Sequence, residues 1–353
     1  MHRIALIPGD GIGTEVVREA RRVLESVTEA EGLDLEMVPW DLGADRYLRE
    51  GVTITDEELA ALAGEHDAAL LGALGDPRVP GNEHARDILL GMRFRLDLYV
   101  NFRPCELLAP GLSPLRGVEG PVRIEVFREN TEGAYTGLGG RFRRGTPDEV
   151  AIEEDVNTRL GVERIVRAAF AFARDHGRPR VTLVDKANAM RHAGGLWRDV
   201  FAEVGEEHPG IRRDAMYVDA MAMDLVRRPE QYSVLVASNL FGDIVSDLAA
   251  EVTGGLGLAP SGNINPDGFA LFEPVHGSAP DIAGEGRANP LGAIRCVSLL
   301  LEHLGEGAAA ERVRRAVAAS IAEGRTTRDL GGTLGTGEVG RWIADRVAGG
   351  PAS

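Results

Sequence analysis

Residues 239–249 read N-L-F-G-D-I-V-S-D-L-A, and they place two carboxylates, Asp243 and Asp247, four residues apart. On a helix that spacing puts both side chains on one face, about one turn from each other. We expect the apolar residues between and after them to be buried, namely Ile244, Val245 and Leu248. Carboxylates beside a buried stripe are costly unless a cation or a basic group offsets them. The pair therefore indicates either a metal site or an acidic helix face with Lys or Arg opposite.

Further polar residues outside this stretch extend the metal interpretation. Asp219, in Y-V-D-A-M-A-M, offers a third carboxylate from a separate segment. Three hard oxygen donors suit Mg²⁺ or Mn²⁺, with substrate oxygens and water completing an octahedron. Arg93, Arg103 and Arg128 come from three other segments and could clamp a dicarboxylic acid, because a guanidinium matches a carboxylate in bidentate fashion. Each arginine taken alone is equally compatible with a surface ion pair.

Two side chains are candidates for proton transfer. Lys186 follows the apolar run V-T-L-V-D, and the end of a buried strand is a suitable place for a proton-transferring amine. Tyr135, in E-G-A-Y-T-G, could supply a phenolic proton. The alternative for Tyr135 is a packed ring with a satisfied hydroxyl.

Length, charge and cysteine content restrict the class of protein. A chain of 353 residues is long for one core, so we expect two domains. The net charge of −16 argues against nucleic acid and anionic membranes as partners. Cys105 and Cys296 lie far apart, and no signal peptide or run of ~18 to 20 apolar residues is present. These features predict a cytoplasmic protein.

Short apolar runs alternate with helical patterns along the chain, which predicts an α/β sheet with sites at the strand ends. The predicted strands are 4–7, 67–71, 122–127, 181–184 and 234–237, and the predicted helices include 14–30, 161–176 and 292–304. Residues 136–152, rich in Gly and Arg, break this pattern and predict an extended arm. The turn G-D-G-I-G at 9–13 lacks the G-x-G-x-x-G spacing, so we reject a Rossmann fingerprint.

Three stretches of the sequence resemble the β-decarboxylating dehydrogenases. They are N-L-F-G-D-I-V-S-D-L-A at 239–249, E-P-V-H-G-S-A-P-D-I-A-G at 273–284 and I-P-G-D-G-I-G at 7–13. That family includes 3-isopropylmalate, isocitrate, homoisocitrate, tartrate and D-malate dehydrogenases. The resemblance covers nearly the whole chain and implies the two-lobed α/β fold of isocitrate and isopropylmalate dehydrogenases. The first lobe would combine residues 1–100 with 254–353 on the nucleotide side. The second lobe, 101–253, would carry the metal ligands, the arm at about 136–152 and the dimer contacts.

The resemblance also implies a mechanism for a dicarboxylic 2-hydroxy acid in a homodimer with shared active sites. Lys186 and Asp219 would reach into the partner's site. The implied metal ligands are Asp219, Asp243 and Asp247, and the implied carboxylate-binding residues are Arg93, Arg103 and Arg128. Lys186 would help to remove the hydroxyl proton, hydride would pass to NAD, and CO₂ would leave with Mg²⁺ as the electron sink. Tyr135 would then protonate the resulting enolate at carbon.

The cofactor follows from the second stretch. Asp281 matches the position at which NAD-dependent members carry an Asp for the adenosine ribose, whereas NADP-dependent members usually place Lys-Tyr at Asp281-Ile282. An aspartate there repels a 2′-phosphate, which favours NAD. The nucleotide-binding positions that the resemblance implies are Gly72, Ala73, His276, Gly277, Asp281, Ile282 and Asn289. A requirement for a monovalent cation is left open.

The substrate is a 3-substituted malate in this interpretation. Leu89 and Leu90 match the residues that receive the alkyl group in isopropylmalate dehydrogenases, and an apolar wall cannot satisfy a third carboxylate. Oxidative decarboxylation of 3-isopropylmalate in leucine biosynthesis is therefore preferred.

Several features favour other substrates, and one of them is the homoisocitrate-like form of G-L-G-L-A-P-S-G-N-I at 255–264 and of D-L-G-G near residue 330. R-E-N-T-E-G at 128–133 is more usual in isocitrate, homoisocitrate and tartrate enzymes, and Ala189 replaces a typical Val. Arg95 could reach a longer carboxylate or face solvent. Tartrate or D-malate, homoisocitrate or isocitrate, and another 3-substituted malate in a specialised pathway remain as alternatives.

Two other classes of protein fit less well. A metal-dependent hydrolase would leave Asp281 and His276 without a role. A catalytically silent binding protein should have lost Lys186, Tyr135 or one of the aspartates, and all are present.

Overall fold

The computed structural model describes residues 1–118 and 120–349. The strands are β1 (His2–Gly9), β2 (Leu35–Pro39), β3 (Ala68–Ala73), β4 (Val100–Glu106), β5 (Arg123–Glu129), β6 (Gly139–Phe142), β7 (Val150–Glu153), β8 (Arg180–Asp185), β9 (Arg212–Tyr217), β10 (Val234–Ala237), β11 (Pro260–Ile264) and β12 (Ala270–Pro274). The helices are α1 (Gly13–Glu31), α2 (Ala44–Glu50), α3 (Asp56–Glu65), α4 (Glu83–Arg95), α5 (Arg159–Asp175), α6 (Arg191–Glu206), α7 (Val218–Arg227), α8 (Asn239–Val252), α9 (Leu291–His303), α10 (Gly307–Ala322) and α11 (Thr336–Val347). The α/β class is confirmed, and every strand and helix predicted above is present with ends that differ by about two residues at most.

The chain forms two compact units. Unit 1 comprises Met1–Leu98, Glu106–Gly120 and the chain from Ala250 onward, and unit 2 comprises Tyr99–Cys105 and Pro121–Ala249.

Unit 1 contains strands in the order β2-β1-β3-β12-β11. All neighbours for which the pairing is described are parallel except β11 and β12, which are antiparallel. Alternate residues of β1 enter different cores: Ile4 packs with α1 and α9, whereas Ile7 packs with Ile88 of α4. Both faces of the sheet are therefore covered, which explains why residues 4–7 of β1 are an unbroken apolar run.

Unit 2 contains strands in the order β4-β5-β10-β8-β9. β10 is parallel to β5 and β8, and β8 is parallel to β9. A cluster of aromatic rings, Phe102, Phe127 and Phe172, packs α5 against β4 and β5 with ring centroids 5.2 to 5.3 Å apart. Within the described residues of both units, no helix is long and apolar enough to cross a bilayer.

The predicted arm is a two-stranded antiparallel ribbon formed by β6 and β7. Its apolar side chains project into solvent: Phe142 is 58% exposed, Val150 48% and Ile152 43%. Large apolar side chains are normally buried, so this ribbon is a surface that a partner could cover.

One burial prediction for α8 is wrong. Val245 is fully buried, but Ile244 is 52% exposed and lies on the same face as Leu240, which is 40% exposed. Consecutive helix residues point about 100° apart, so the stripe that buries Val245 turns Ile244 outward.

Candidate active site

The carboxyl ends of three parallel strands of unit 2 position the candidate residues. β5 and β8 both pair with β10, so the three strands end at one edge of the sheet. Arg128 lies at the last paired position of β5, Lys186 directly follows β8, and α8 begins just after β10. Binding sites of open α/β sheets form at this edge.

Asp243 and Asp247 of α8 contact two arginines and a tyrosine, and we call Asp243, Asp247, Arg103, Arg128 and Tyr135 the carboxylate cluster. Arg103 donates to Oδ1 of Asp247 at 2.8 Å and forms an ion pair with Asp243 at 3.2 Å. Arg128 also donates to Asp243, and the Tyr135 hydroxyl donates to Oδ2 of Asp243 at 2.7 Å. The structure thus brings together two of the three predicted arginines, the tyrosine and two of the three predicted metal ligands.

Close packing fixes Arg128 in this cluster. The residue is 1% exposed, and its Nε donates to Oδ1 of Asn239 at 2.9 Å. α8 crosses Arg128 at Gly242, where an added Cβ would lie 2.7 Å from Cβ and Cγ of the arginine. A larger residue at 242 would displace Arg128, which accounts for the glycine in N-L-F-G-D.

The electrostatics of the aspartate pair suit a divalent cation. Burial raises the pKa of Asp247, Arg103 opposes that effect, Asp243 adds to it, and Arg128 opposes it. The two carboxylates stand on successive turns and offer the hard oxygen ligands that Mg²⁺ and Mn²⁺ prefer. A bound cation would relieve the repulsion between them, so the residues present fit such an ion.

Lys186 and Asp219 form a second, separate pair. The Nζ atom donates to Oδ1 of Asp219 at 2.5 Å, and this contact lowers the pKa of the Asp219 carboxyl. The Asp219 side chain is 63% exposed at the start of α7. Among the residues that the structure describes, no three His, Cys, Asp or Glu side chains gather at a metal position. A three-aspartate site is therefore not assembled within one copy of the chain.

Composition singles out Lys186 more strongly than its position does. It is the sole lysine of the chain, in which all the other residues among the 39 Lys and Arg are arginine. Arginine stays protonated at any physiological pH, whereas a lysine amine can exchange a proton. A count of residue types alone therefore makes Lys186 a candidate for proton transfer.

The third predicted arginine and the pocket leucines lie on α4 of unit 1. Leu89 and Leu90 are half-buried and stand four and three residues before Arg93, so the three side chains share one face of the helix. Arg93 is 6% exposed and donates to Oε1 of Glu273 at 3.0 Å. Arg95 instead pairs with the exposed Asp56. The Arg95 side chain therefore points to solvent and not along the helix face that carries Leu89, Leu90 and Arg93.

The predicted nucleotide residues all belong to unit 1. Ile12 donates its backbone N–H to the Ser278 carbonyl at 2.9 Å, so the glycine turn after β1 supports the loop that follows β12. A Cβ at Gly11 would lie 2.1 Å from that carbonyl, and glycine is required there. The structure places Gly72 and Ala73 at the end of β3, and His276, Gly277, Asp281, Ile282 and Asn289 in the loop between β12 and α9.

Two side chains of this loop have the properties of ligand-binding groups. Burial lowers the pKa of His276, and its Nε2 atom is buried without a hydrogen-bond partner in the described part of the chain. Such an atom is costly unless a ligand satisfies it. Asp281 is exposed and makes no ion pair with any described residue. An unpaired carboxylate can accept ribose hydroxyls and repels a phosphate, so the loop fits a nucleotide without a 2′-phosphate.

Three supporting residues were not predicted. Asn239 orients Arg128, Ser246 accepts from Arg103 at 2.9 Å, and Glu273 holds Arg93. Asn239 precedes Asp243 by four residues, so the helical spacing of the opening stretch was a signal for it. Glu273 lies in the second quoted stretch, but its partner is 180 residues away.

Comparisons with known proteins show which family the chain resembles. The family model described as isocitrate/isopropylmalate dehydrogenase matches residues 3–343. A 3-isopropylmalate dehydrogenase of Thermobifida fusca is 49% identical over 98% of both chains, and one of Beutenbergia cavernae is 50% identical over 98% of both. A solved isocitrate dehydrogenase from Methylococcus capsulatus superposes with a TM-score of 0.89 and 39% identity, over 99% of this chain and 100% of that one.

Proposed function

Because this chain belongs to the isocitrate/isopropylmalate dehydrogenase family, we propose that it catalyses the NAD-dependent oxidative decarboxylation of 3-isopropylmalate to 4-methyl-2-oxopentanoate, a step of leucine biosynthesis. The observation that carries the proposal is the carboxylate cluster, in which two buried arginines and a tyrosine surround two aspartates. This arrangement combines cation ligands, carboxylate-binding groups and a proton donor, which are the groups that such a reaction needs.

Arg103 and Arg128 bind the substrate's carboxylates in this proposal. In the chain alone both arginines contact the aspartates, so they are already desolvated and oriented. On substrate binding they exchange an aspartate oxygen for a substrate oxygen, which keeps their charge compensated. Arg93, held in place by Glu273, is the remaining candidate for binding a carboxylate.

Lys186 and Tyr135 handle the protons. Lys186 receives the proton of the substrate hydroxyl, directly or through one water, and Tyr135 donates to the carbon that loses CO₂. Tyr135 is oriented for this role because its hydroxyl is held by Asp243. A divalent cation held by Asp243 and Asp247 would supply Lewis-acid chemistry, and NAD held by the loop that contains Asp281 would supply a hydride acceptor.

A second copy of the chain completes the site in this proposal. Asp219 and Lys186 form a pair apart from Asp243 and Asp247. The Asp219 side chain is largely exposed, so it can bind a cation in the site of another copy. The large exposed apolar residues of unit 2 are suited to contact with such a copy: Leu138, Phe142, Val150, Ile152, Leu160, Met223, Val226, Leu240 and Ile244. We assign the dimer contacts to unit 2 and the nucleotide to unit 1.

The proposal is tested by NADH formation at 340 nm with Mg²⁺ and NAD across 3-isopropylmalate, D-malate, tartrate, isocitrate and homoisocitrate. We expect 3-isopropylmalate to dominate, since Leu89 and Leu90 provide an apolar face and Arg95 is engaged with Asp56. Dominance of isocitrate or homoisocitrate would refute the substrate while keeping the reaction class. No NADH from any of the five would refute the proposed function.

We predict that Asp281→Asn weakens the preference for NAD over NADP about tenfold, because it removes the charge that repels a 2′-phosphate. The measurement is kcat/KM for each cofactor, together with direct binding of NADH and NADPH by nicotinamide fluorescence. Glu285→Gln is a matched control, since Glu285 is an exposed carboxylate of the same loop, paired with Arg287. An unchanged preference in Asp281→Asn, or an equal change in Glu285→Gln, would contradict the assignment.

A further inference from the structure

Asp10 and His84 form a buried pair in unit 1 that the proposed chemistry does not use. The side chain of His84 is fully buried and Asp10 is 6% exposed. Nε2 of His84 lies 2.8 Å from Oδ2 of Asp10. Because a carboxylate only accepts, Nε2 is the protonated nitrogen and donates this bond. Nδ1 is buried and has no hydrogen-bond partner among the described residues. The bond to Asp10 is therefore the one side-chain hydrogen bond that the imidazole ring makes with those residues.

Asp10 joins segments that are far apart in the sequence. Its Oδ1 accepts the backbone N–H of Ala44 at 2.7 Å, at the start of α2, and its Oδ2 accepts that of Gly75 at 2.8 Å. Asp10 also donates its own N–H to the Ala73 carbonyl at 2.7 Å. The carboxylate therefore fixes the turn that follows Gly72 and Ala73 at the end of β3, and connects this turn to α4 through His84.

The start of α4 has no side-chain cap. Asn82, its N-cap residue, has a left-handed φ of 51° and makes no side-chain capping bond to the helix. The Asn82 side chain instead accepts the N–H of Asp76 at 3.0 Å. An uncapped helix start leaves its first N–H groups unsatisfied and frays readily. His84, the second residue of α4, is thus the polar anchor of its first turn.

The far end of α4 is anchored independently. Arg93 donates to Glu273 near the C-terminus of the helix, and Met92 is fully buried. Leu89 and Leu90 lie between the two anchors, one to two turns after His84. A loose first turn would move these two leucines more than it would move Arg93.

We propose that His84 is a positioning residue that fixes the register of α4 against Asp10 and thereby sets the part of the pocket that receives the substituent at C3 of the substrate. This inference rests on the proposed function, in which Leu89 and Leu90 contact that substituent. It makes His84 a determinant of substrate choice that touches neither substrate nor cofactor.

The test compares His84→Leu and His84→Met, which fill the space without a donor, with His84→Gln, whose amide nitrogen can replace Nε2. We expect both apolar variants to lower kcat/KM for 3-isopropylmalate at least about tenfold, mainly through KM, because displacements of about 1 Å have effects of this size. D-malate has no C3 substituent, so its kcat/KM should change less than about threefold. His84→Gln should restore the wild-type ratio of the two substrates.

His66→Leu is the matched control. His66 is also buried in unit 1, at 7% exposure, where it contacts Trp40 rather than Asp10. Its substitution should lower the melting temperature without changing the substrate ratio. Backbone amide exchange of residues 83–95 provides a readout that needs no turnover, and it should accelerate in the apolar His84 variants but not in His84→Gln.

The outcomes separate this inference from the proposed function. An inactive wild-type enzyme would refute the function, whereas the exchange rates would still show whether His84 holds α4. An unchanged substrate ratio in a folded apolar variant, or no rescue by His84→Gln, would overturn the positioning role. Failure of both apolar variants to fold would show that His84 acts on the whole unit, and the inference would be rejected.

Discussion

Lys186→Met is expected to lower kcat about 10³-fold, within the 10²- to 10⁴-fold contribution of general acid–base catalysis, and to leave the KM for the substrate within a few-fold. Lys186 lies at the end of β8 with its amine on Asp219, and it is the sole lysine in the chain. Where a positive charge suffices, this sequence uses arginine. The measurement is steady-state NADH formation, with the melting temperature as a check on folding.

Lys186→Arg is the decisive control for that result. It keeps a positive charge opposite Asp219 but cannot release a proton at neutral pH. If Lys186 transfers a proton, the Arg variant should be nearly as impaired as the Met variant. Wild-type kcat in Lys186→Arg would show that only the charge is needed and would contradict the proton-transfer role.

Asp247→Asn is expected to raise the Mg²⁺ concentration needed for half-maximal activity more than tenfold and to lower kcat at least a hundredfold. The substitution removes one of two negative charges that a cation would bind, and it leaves Arg103 with a neutral partner at one of its contacts. Mn²⁺ binding by electron paramagnetic resonance measures the affinity without turnover.

Glu251→Gln makes the same change of charge one turn further along α8, at an exposed position outside the carboxylate cluster. Its Mn²⁺ affinity and kcat should stay close to those of the wild-type enzyme. Equal affinities in Asp247→Asn and the wild-type enzyme would place the cation elsewhere.

The sequence predicts the central strands and the longer helices well because these strands are buried on both faces of the large sheet. Residues 4–7 of β1 and all four residues of β10 are unbroken apolar runs followed by a glycine or a polar turn, and each predicted end lies within about two residues of the observed one. The shared face of Asp243 and Asp247 follows from helical spacing in the same way. Local periodicity therefore accounts for the elements and for the aspartate pair.

Local periodicity does not reveal contacts between distant segments. Arg128 and Asp243 are 115 residues apart, and His84 and Asp10 are 74 apart. The order of the strands decides which arginine neutralises the charge of which aspartate. Neither the composition of the sequence nor the spacing of its residues reveals that order. Ile244 shows a related limit, because hydrophobicity predicts burial but not whether this chain or a partner provides it.

The central claim is that each active site combines the carboxylate cluster of one chain with Lys186 and Asp219 of another. Mixing Lys186→Met with Asp247→Asn tests it most directly, since each variant alone should be inactive. In a mixed dimer, one of the two sites contains neither substitution. Equal co-expression should therefore recover about a quarter of the wild-type activity, from random pairing in a twofold-symmetric dimer. Mixed dimers that are verified by differential tags and still lack activity would contradict the claim and place Lys186 and Asp247 in the same chain's site.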